Sequence, residues 1–308
     1  MSSPRIEARA TLVVLFLVLG AAGAGAALGD DSTTGAPPTG ATAAATGTTT
    51  TPAEAKAPLD DHEVDPVQPD FVVVNLPTNL RVPRHAMTFR LTHRFSRPLG
   101  EGDFGDLVGD LFGFDSAAQV GLGLGFGLFS GTELAVYRTN DRAIQLSVKR
   151  DLFQQGDRPL SLGLHGAVEG RDNFSEVFSP ALAAFASRKL GRRAALYLVP
   201  AYVWNTSAFE GVSGDDAFLL GLGGRLILGR GVAILAEWTP HFGNEPSDPT
   251  DPRREAAHLF AFGLEKSVGG HAFQINISNG FGTTYTTLAR GASQDDWFIG
   301  FNLSRKFY

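Results

Sequence analysis

Ten ionisable side chains, Arg90, Arg94, Glu133, Lys149, His165, Glu169, Arg225, Glu237, Glu265 and Lys306, fall on the polar stripes of segments whose opposite stripes are apolar. Charges of both signs facing one enclosed space have two uses. They filter solutes that pass between them, or they pair with one another, because a buried charge without a partner is costly. A covalent chemistry is suggested by INISNGFG, Ile275 to Gly282, where Ser278 stands beside Asn279 and Gly280. A serine nucleophile needs a base within hydrogen-bond reach. Two residues before Ser278 stands Asn276, which cannot take a proton, and His271 belongs at the other end of the same segment. Gly121, Gly123, Gly125 and Gly127 alternate singly along a strand and do not form a phosphate loop opening a helix. Asp103, Asp106 and Asp110 lack the spacing and the glycine of a calcium loop. No catalytic group, metal or cofactor is expected, and the chain reads as a non-enzyme.

The elements that position these side chains share one period. In WFIGFNLSRKFY, Trp297 to Tyr308, the apolar Trp297, Ile299, Phe301, Leu303 and Phe307 alternate with Gly300, Asn302, Ser304 and Lys306, as on an extended strand. HAMTFRLTHRF sets Met87, Phe89, Leu91 and Phe95 against Thr88, Arg90, Thr92 and Arg94. The same design returns at 120–128, 144–149, 160–165, 218–226, 260–265 and 273–278, with weaker copies near 133–137, 179–189, 194–204 and 232–239. Twelve strands of about 9 to 12 residues result, the length a tilted strand needs to cross a bilayer.

Composition agrees. With 308 residues, 43% of them hydrophobic, and a mean hydropathy near zero, the chain has a sizeable core but lacks the repeated apolar runs of about 20 residues of a helical membrane protein. A short apolar run, Leu12 to Leu19, follows Arg5 and Arg9 and precedes small residues with an Ala-x-Ala site at Ala22 to Ala24 or Ala24 to Ala26. This order predicts a secretory signal peptide over 1–27 and Sec-type export. Residues 28–70 are rich in Ala, Thr, Gly and Pro, a composition that predicts a disordered tether. Phe71 to Leu76 reads as a short ordered lead-in, and 71–308 as the β-domain. The absence of cysteine removes disulfides, thiolate sites and a lipid-acceptor residue. A net charge of −6 argues against nucleic acid as a partner.

The connections alternate long and short, with long ones near 96–116, 170–178, 205–216, 241–256 and 280–296. Two break the contrast, the short one at Asn140 and Asp141 and the longer one over 151–159. Short turns on one rim and long loops on the other characterise outer-membrane barrels, and an even strand count puts both barrel ends on the periplasmic side. Trp204, Trp238 and Trp297 then fall at the outer interface as an aromatic girdle. Within the first outer loop, Phe104, Leu107, Val108, Leu111 and Phe112 follow helical spacing and predict a short amphipathic helix on the rim, in the outer leaflet or over the mouth.

The stretches NLPTNLRVPRHAMTFRLTHRF, DLFGFDSAAQVGLGLGFGL, ELAVYRT, GGRLILGRGVAILAEWTP, GGHAFQINISN and FIGFNLSRKF together resemble a bacterial β-barrel family known only as a domain of unknown function. The resemblance runs from about Asn75 to the C-terminus. It implies an outer-membrane barrel and no known activity. Ser278-Asn279-Gly280 also matches part of the His-x-Ser-Asn-Gly motif of outer-membrane phospholipases, with Asn276 in place of the histidine.

The expected fold is therefore all-β: a transmembrane antiparallel up-and-down barrel of about twelve strands, in the bacterial outer membrane. Its expected partners are outer-membrane lipid and the barrel-assembly machinery, the latter engaging the C-terminal strand. Two functions stay open, a small-solute channel with a charged lumen and a closed structural or docking barrel; a lipid hydrolase is a distant third. A continuous gap past Arg90, Arg225 and Glu237 favours the first, and a fully paired charge layer favours the second.

Overall fold

The structure is a computed structural model that describes residues 65–109, 113, 116–156, 158–206, 216–242, 246–248, 251–255 and 257–308. The expected signal peptide and most of the expected tether lie outside the described residues. Strands alternate along the chain as β1 (Met87–Phe95), β2 (Ala118–Phe129), β3 (Thr132–Thr139), β4 (Ile144–Phe153), β5 (Ser161–Gly170), β6 (Glu176–Leu190) and β7 (Ala194–Val203). They continue as β8 (Ala217–Gly229), β9 (Val232–Thr239), the small loop hairpin β10 (Pro246–Asp248) and β11 (Asp251–Glu255), then β12 (Leu259–Val268), β13 (His271–Ser278) and β14 (Phe298–Phe307). Without β10 and β11, twelve strands form a closed antiparallel barrel in sequence order. It closes where β1 pairs with β14, from Met87 opposite Phe307 to Arg94 opposite Gly300.

The alternating side chains explain the closure. Leu122, Leu124, Leu196, Ile234, Phe262, Leu264, Phe273 and Ile275 point outward and are exposed, an apolar belt far larger than a water-facing surface carries and suited to lipid. Among the described residues no helix is long and apolar enough to cross a membrane, so the strands do the crossing. Ile275 sits mid-strand and is 66% exposed. Ile275→Arg is expected to cost about 2–4 kcal/mol, the penalty for a cation on the lipid face at the bilayer midplane, read as a shift in urea unfolding from phospholipid vesicles.

Both ends of the barrel wall, at β1 and β14, meet on the rim that carries the short turns 130–131, 191–193, 230–231 and 269–270, which is the periplasmic rim of such barrels. The opposite rim carries the helix α1 (Phe104–Gly109), whose residues are all exposed or half-buried, and α2 (Tyr285–Ala289), which is buried. The helix expected to run to Phe112 is described only as far as Gly109. None of its described residues is buried, whereas α2, in a stretch read as loop, folds inward. A reciprocal cap fixes the start of α2: Thr284 Oγ1 accepts from Thr287 N–H, and Thr287 Oγ1 accepts from Thr284 N–H.

Ordered packing begins earlier than expected. The tether was expected to extend to residue 70, yet Gln68 and Asp70 are already buried, because hydrogen bonds to Ser187 and Ser304 hold them inside the barrel.

Candidate functional site: the plugged lumen

The lead-in Phe71 to Leu76 is the lower arm and tip of a tight hairpin pushed up the lumen. Thr78 N–H donates to Phe71 O at 2.8 Å and Val73 N–H to Leu76 O at 2.9 Å, so the chain reverses at Val74 and Asn75. At this tip the N–H groups of Val74, Asn75 and Leu76 converge on one carboxylate oxygen of Glu237, at 2.6, 2.8 and 2.8 Å. The second oxygen accepts from Asn75 Nδ2 at 3.2 Å. A reversal leaves backbone donors unpaired within the chain, and a buried donor must find a partner; Glu237 serves three of them with ionic bonds, which are stronger than neutral ones.

The rest of the hairpin is tied to the wall in the same way. Asn302 Nδ2 and an Arg90 guanidinium N–H donate to Val74 O, and Gln274 Nε2 donates to Val73 O. Arg94, only 1% exposed, donates to Asn75 Oδ1 at 3.0 Å and to Asn302 Oδ1 at 2.9 Å. Below the tip, Lys149 donates to Leu80 O at 3.0 Å and lies 3.4 Å from Glu133. Lys306 lies 3.9 Å from Asp70, and Arg81 and Asp151 pair at 2.9 Å. Of the charges expected to pair across the lumen, two couples pair along the wall instead: Lys149 with Glu133 on adjacent strands, and Arg225 with Glu265 on either side of β9 through two bonds of 2.9 and 2.5 Å. Arg90, Arg94 and Glu237 instead hold the hairpin.

One part of the wall departs from the expected polar lining. The inward residues of β6 to β9 and β12 include Phe185, Tyr197, Val199, Leu219, Leu235 and Leu259, which form a buried cluster with Val73, Val74 and Leu76 of the hairpin. Tyr285, Leu288 and Ala289 of α2 join that cluster from the outer side. Burial pushes the Tyr285 hydroxyl above its ordinary range, so it stays protonated, and it meets His165 Nδ1 at 2.8 Å. Glu169 is buried beside Thr284 and Arg290 near the same cap. The wall is cut to admit the hairpin: a Cβ on Gly221 would overlap Leu76 Cδ, and one on Gly127 would overlap the Pro83 carbonyl.

Two small cavities lie beside the hairpin. A cavity of about 110 Å³ lies between the hairpin and β1 to β5, bounded by Phe71, Arg90, Glu133, Tyr137, Lys149 and His165. A second, of about 190 Å³, lies at the periplasmic end under Pro66, Pro69, Arg225 and Lys306. The hairpin thus stands in the lumen beside Arg90 and Glu237, bonded to both.

Residues 70–307 match a family model described as a membrane bound beta barrel domain, DUF5777. The chain belongs to that family. No curated protein matches it. Among solved structures, the DUF5777 barrel is similar to the NanC porin, at 11% identity over 72% of this chain and 99% of that one, with a TM-score of 0.46. It is also similar to an outer membrane channel from Pseudomonas putida F1, at 14% identity over 73% and 97%, TM-score 0.48. The outer membrane phospholipase A of Escherichia coli follows at 12% identity over 73% and 98%, TM-score 0.40. Closed, lipid-belted and membrane bound, the DUF5777 chain is a twelve-stranded membrane β-barrel, the architecture of outer-membrane barrels.

The remaining sequence candidates fall outside the plug. Ser278 faces the lumen, where its hydroxyl accepts from Gly280 N–H at 3.2 Å, and His271 opens the same strand at the opposite rim. Trp204, Trp238 and Trp297 lie at the outer ends of β7, β9 and β14; Trp204 packs edge-on against Tyr202, Trp238 stacks on Phe260, and Trp297 stacks on Phe262. Among the described residues no cluster of three or more His, Asp or Glu side chains is arranged to hold a metal ion.

Proposed function

We propose that this barrel is a gated channel for small polar solutes, shut at rest by its own N-terminal hairpin and opened when the hairpin leaves the lumen. The observation that carries the reading is the origin of the occluding mass. It comes from the segment ahead of β1, while the wall facing it holds Gly127, Gly221 and Gly223 where side chains of its own would otherwise fill the bore. A barrel of this size sits between those filled by side chains and open porins, so removing the hairpin leaves a bore. Its polar side, with Arg90, Arg94, Glu133, Gln145 and Lys149, then faces water and offers both signs of charge to a solute. The periplasmic rim is where the hairpin's chain enters, which makes withdrawal toward the periplasm the direct route.

The test is liposome swelling with small sugars and amino acids. Vesicles carrying the full-length barrel swell slowly, and vesicles carrying a variant that lacks residues 65–80 swell at least 10-fold faster. Equal, slow swelling of the two folded proteins contradicts the channel and leaves the closed docking barrel, a reading that the bonds of Glu237 to the hairpin and of Arg225 to Glu265 favour.

A further inference from the structure

The two rims differ in charge. On the outer rim, Glu101, Asp103, Asp141, Glu176 and Asp216 stand with a few arginines, among them Arg142, paired with Asp172 at 2.5 Å. The periplasmic rim is basic. Four of the six strands that descend to it end alike: Arg150, Arg188, Lys266 and Arg305 stand on the lipid-facing stripe, each two residues before an exposed apolar side chain, Leu152, Leu190, Val268 and Phe307. None of the four has an acidic partner among the described residues. Arg150 donates to Ser130 O and Thr132 Oγ1, Lys266 donates to Arg230 O, and the Arg305 guanidinium lies 4.7 Å over the Phe307 ring. Arg192, Arg193 and Arg230 extend the belt through the turns.

The belt is densest between β8 and β14. Arg305 is directly opposite His271, and Phe273, two residues along β13, is opposite Lys266, so Lys266, His271 and Arg305 occupy three adjoining strands beside the Arg230 turn. We propose that this patch binds the headgroups of anionic phospholipids, phosphatidylglycerol or cardiolipin, in the periplasmic leaflet. The placement selects lipid as the occupant. The cations share the stripe that meets acyl chains, and their apolar neighbours continue past them toward the periplasm, so the stems cover apolar surface while the charged heads sit at headgroup depth. A soluble acidic protein approaching from the periplasm would meet the turns, not this stripe. The inference rests on how the barrel sits in the membrane and is independent of the plug.

The test is native mass spectrometry of the full-length barrel released from nanodiscs of phosphatidylethanolamine mixed with cardiolipin. The wild type retains cardiolipin at least 10-fold over phosphatidylethanolamine, and the preference collapses when the nanodiscs are equilibrated in about 0.5 M salt, which screens exposed charges. The R230Q/K266Q/R305Q variant loses about 10-fold in that preference, whereas R138Q/R142Q on the outer rim keeps it. Equal retention of the two lipids by the wild type, a preference insensitive to salt, or equal losses in both variants overturns the proposal. The salt series uses only the wild type, so it decides even where the triple variant fails the heat-dependent gel shift of a folded barrel.

Discussion

Glu237→Ala frees the hairpin from the lumen and leaves the barrel standing. Glu237 contributes to the wall only through its backbone, opposite Gly223 and Ala261 in the ladder; its carboxylate bonds are all to Val74, Asn75 and Leu76. Bonds to a charged acceptor are each worth about 1.5–3 kcal/mol, and donors left buried without an acceptor add a further penalty. In the variant those donors are better served by water outside the lumen. A loss of about 3 kcal/mol corresponds to roughly a 100-fold fall in the ratio of docked to withdrawn hairpin. The chain has no cysteine, so a single Val73→Cys gives a unique reporter. Its labelling by a membrane-impermeant thiol reagent is expected to rise about 100-fold in the Glu237→Ala background, at an unchanged heat-dependent gel shift. Glu237→Gln keeps an acceptor oxygen without the charge and falls between the two. Unchanged labelling in Glu237→Ala would show that the other ties of the hairpin, its apolar contacts and its bonds to Arg90, Arg94, Gln274 and Asn302, hold it without Glu237.

The second large effect belongs to the wall. Arg225 and Glu265 are both buried, Glu265 fully, and they face each other with two parallel bonds. Arg225→Ala strands the carboxylate beside the Ser267 hydroxyl, which donates to it at 2.6 Å, with Lys306 as the nearby cation. Breaking a buried pair on one side costs about 3–5 kcal/mol, whereas replacing both partners with well-packed apolar residues is often neutral. Urea unfolding is therefore expected to show that loss for Arg225→Ala and recovery of most of it for Arg225→Met with Glu265→Met. The contrast separates a barrel whose pair is required for stability from one in which only the unpaired charge is harmful.

The wall of this molecule was legible because a transmembrane strand writes its environment directly into a two-residue period. Val232–Thr239 and the in-phase aromatics of β14 follow from that rule alone. The plug was not legible for a physical reason. Its strongest contacts join backbone N–H groups to Glu237 across more than 160 residues of chain, and a backbone donor has no residue type to betray it. FVVVNL reads in the sequence only as a short ordered lead-in, without the partner its apolar residues need. The apolar inward faces of β6 and β7, with Phe185, Tyr197 and Val199, blurred the alternation there and are the partner it needed. The inward glycines announced vacant space and were silent about what fills it. α2 escaped for a similar reason, since YTTLA carries one turn of helix and a threonine cap in place of the usual acidic one.

The most direct measurement is single-channel conductance with the hairpin locked in place. The position a Gly221 Cβ would occupy lies 3.1 Å from Leu76 Cγ, close enough for a disulfide between cysteines at 76 and 221. In planar bilayers the oxidised L76C/G221C protein is expected to stay shut, and the same protein after reduction to show ion-conducting steps that the variant lacking residues 65–80 displays continuously. Conductance that is equal in the oxidised and reduced states would contradict the account, because ions would then be passing without movement of the hairpin.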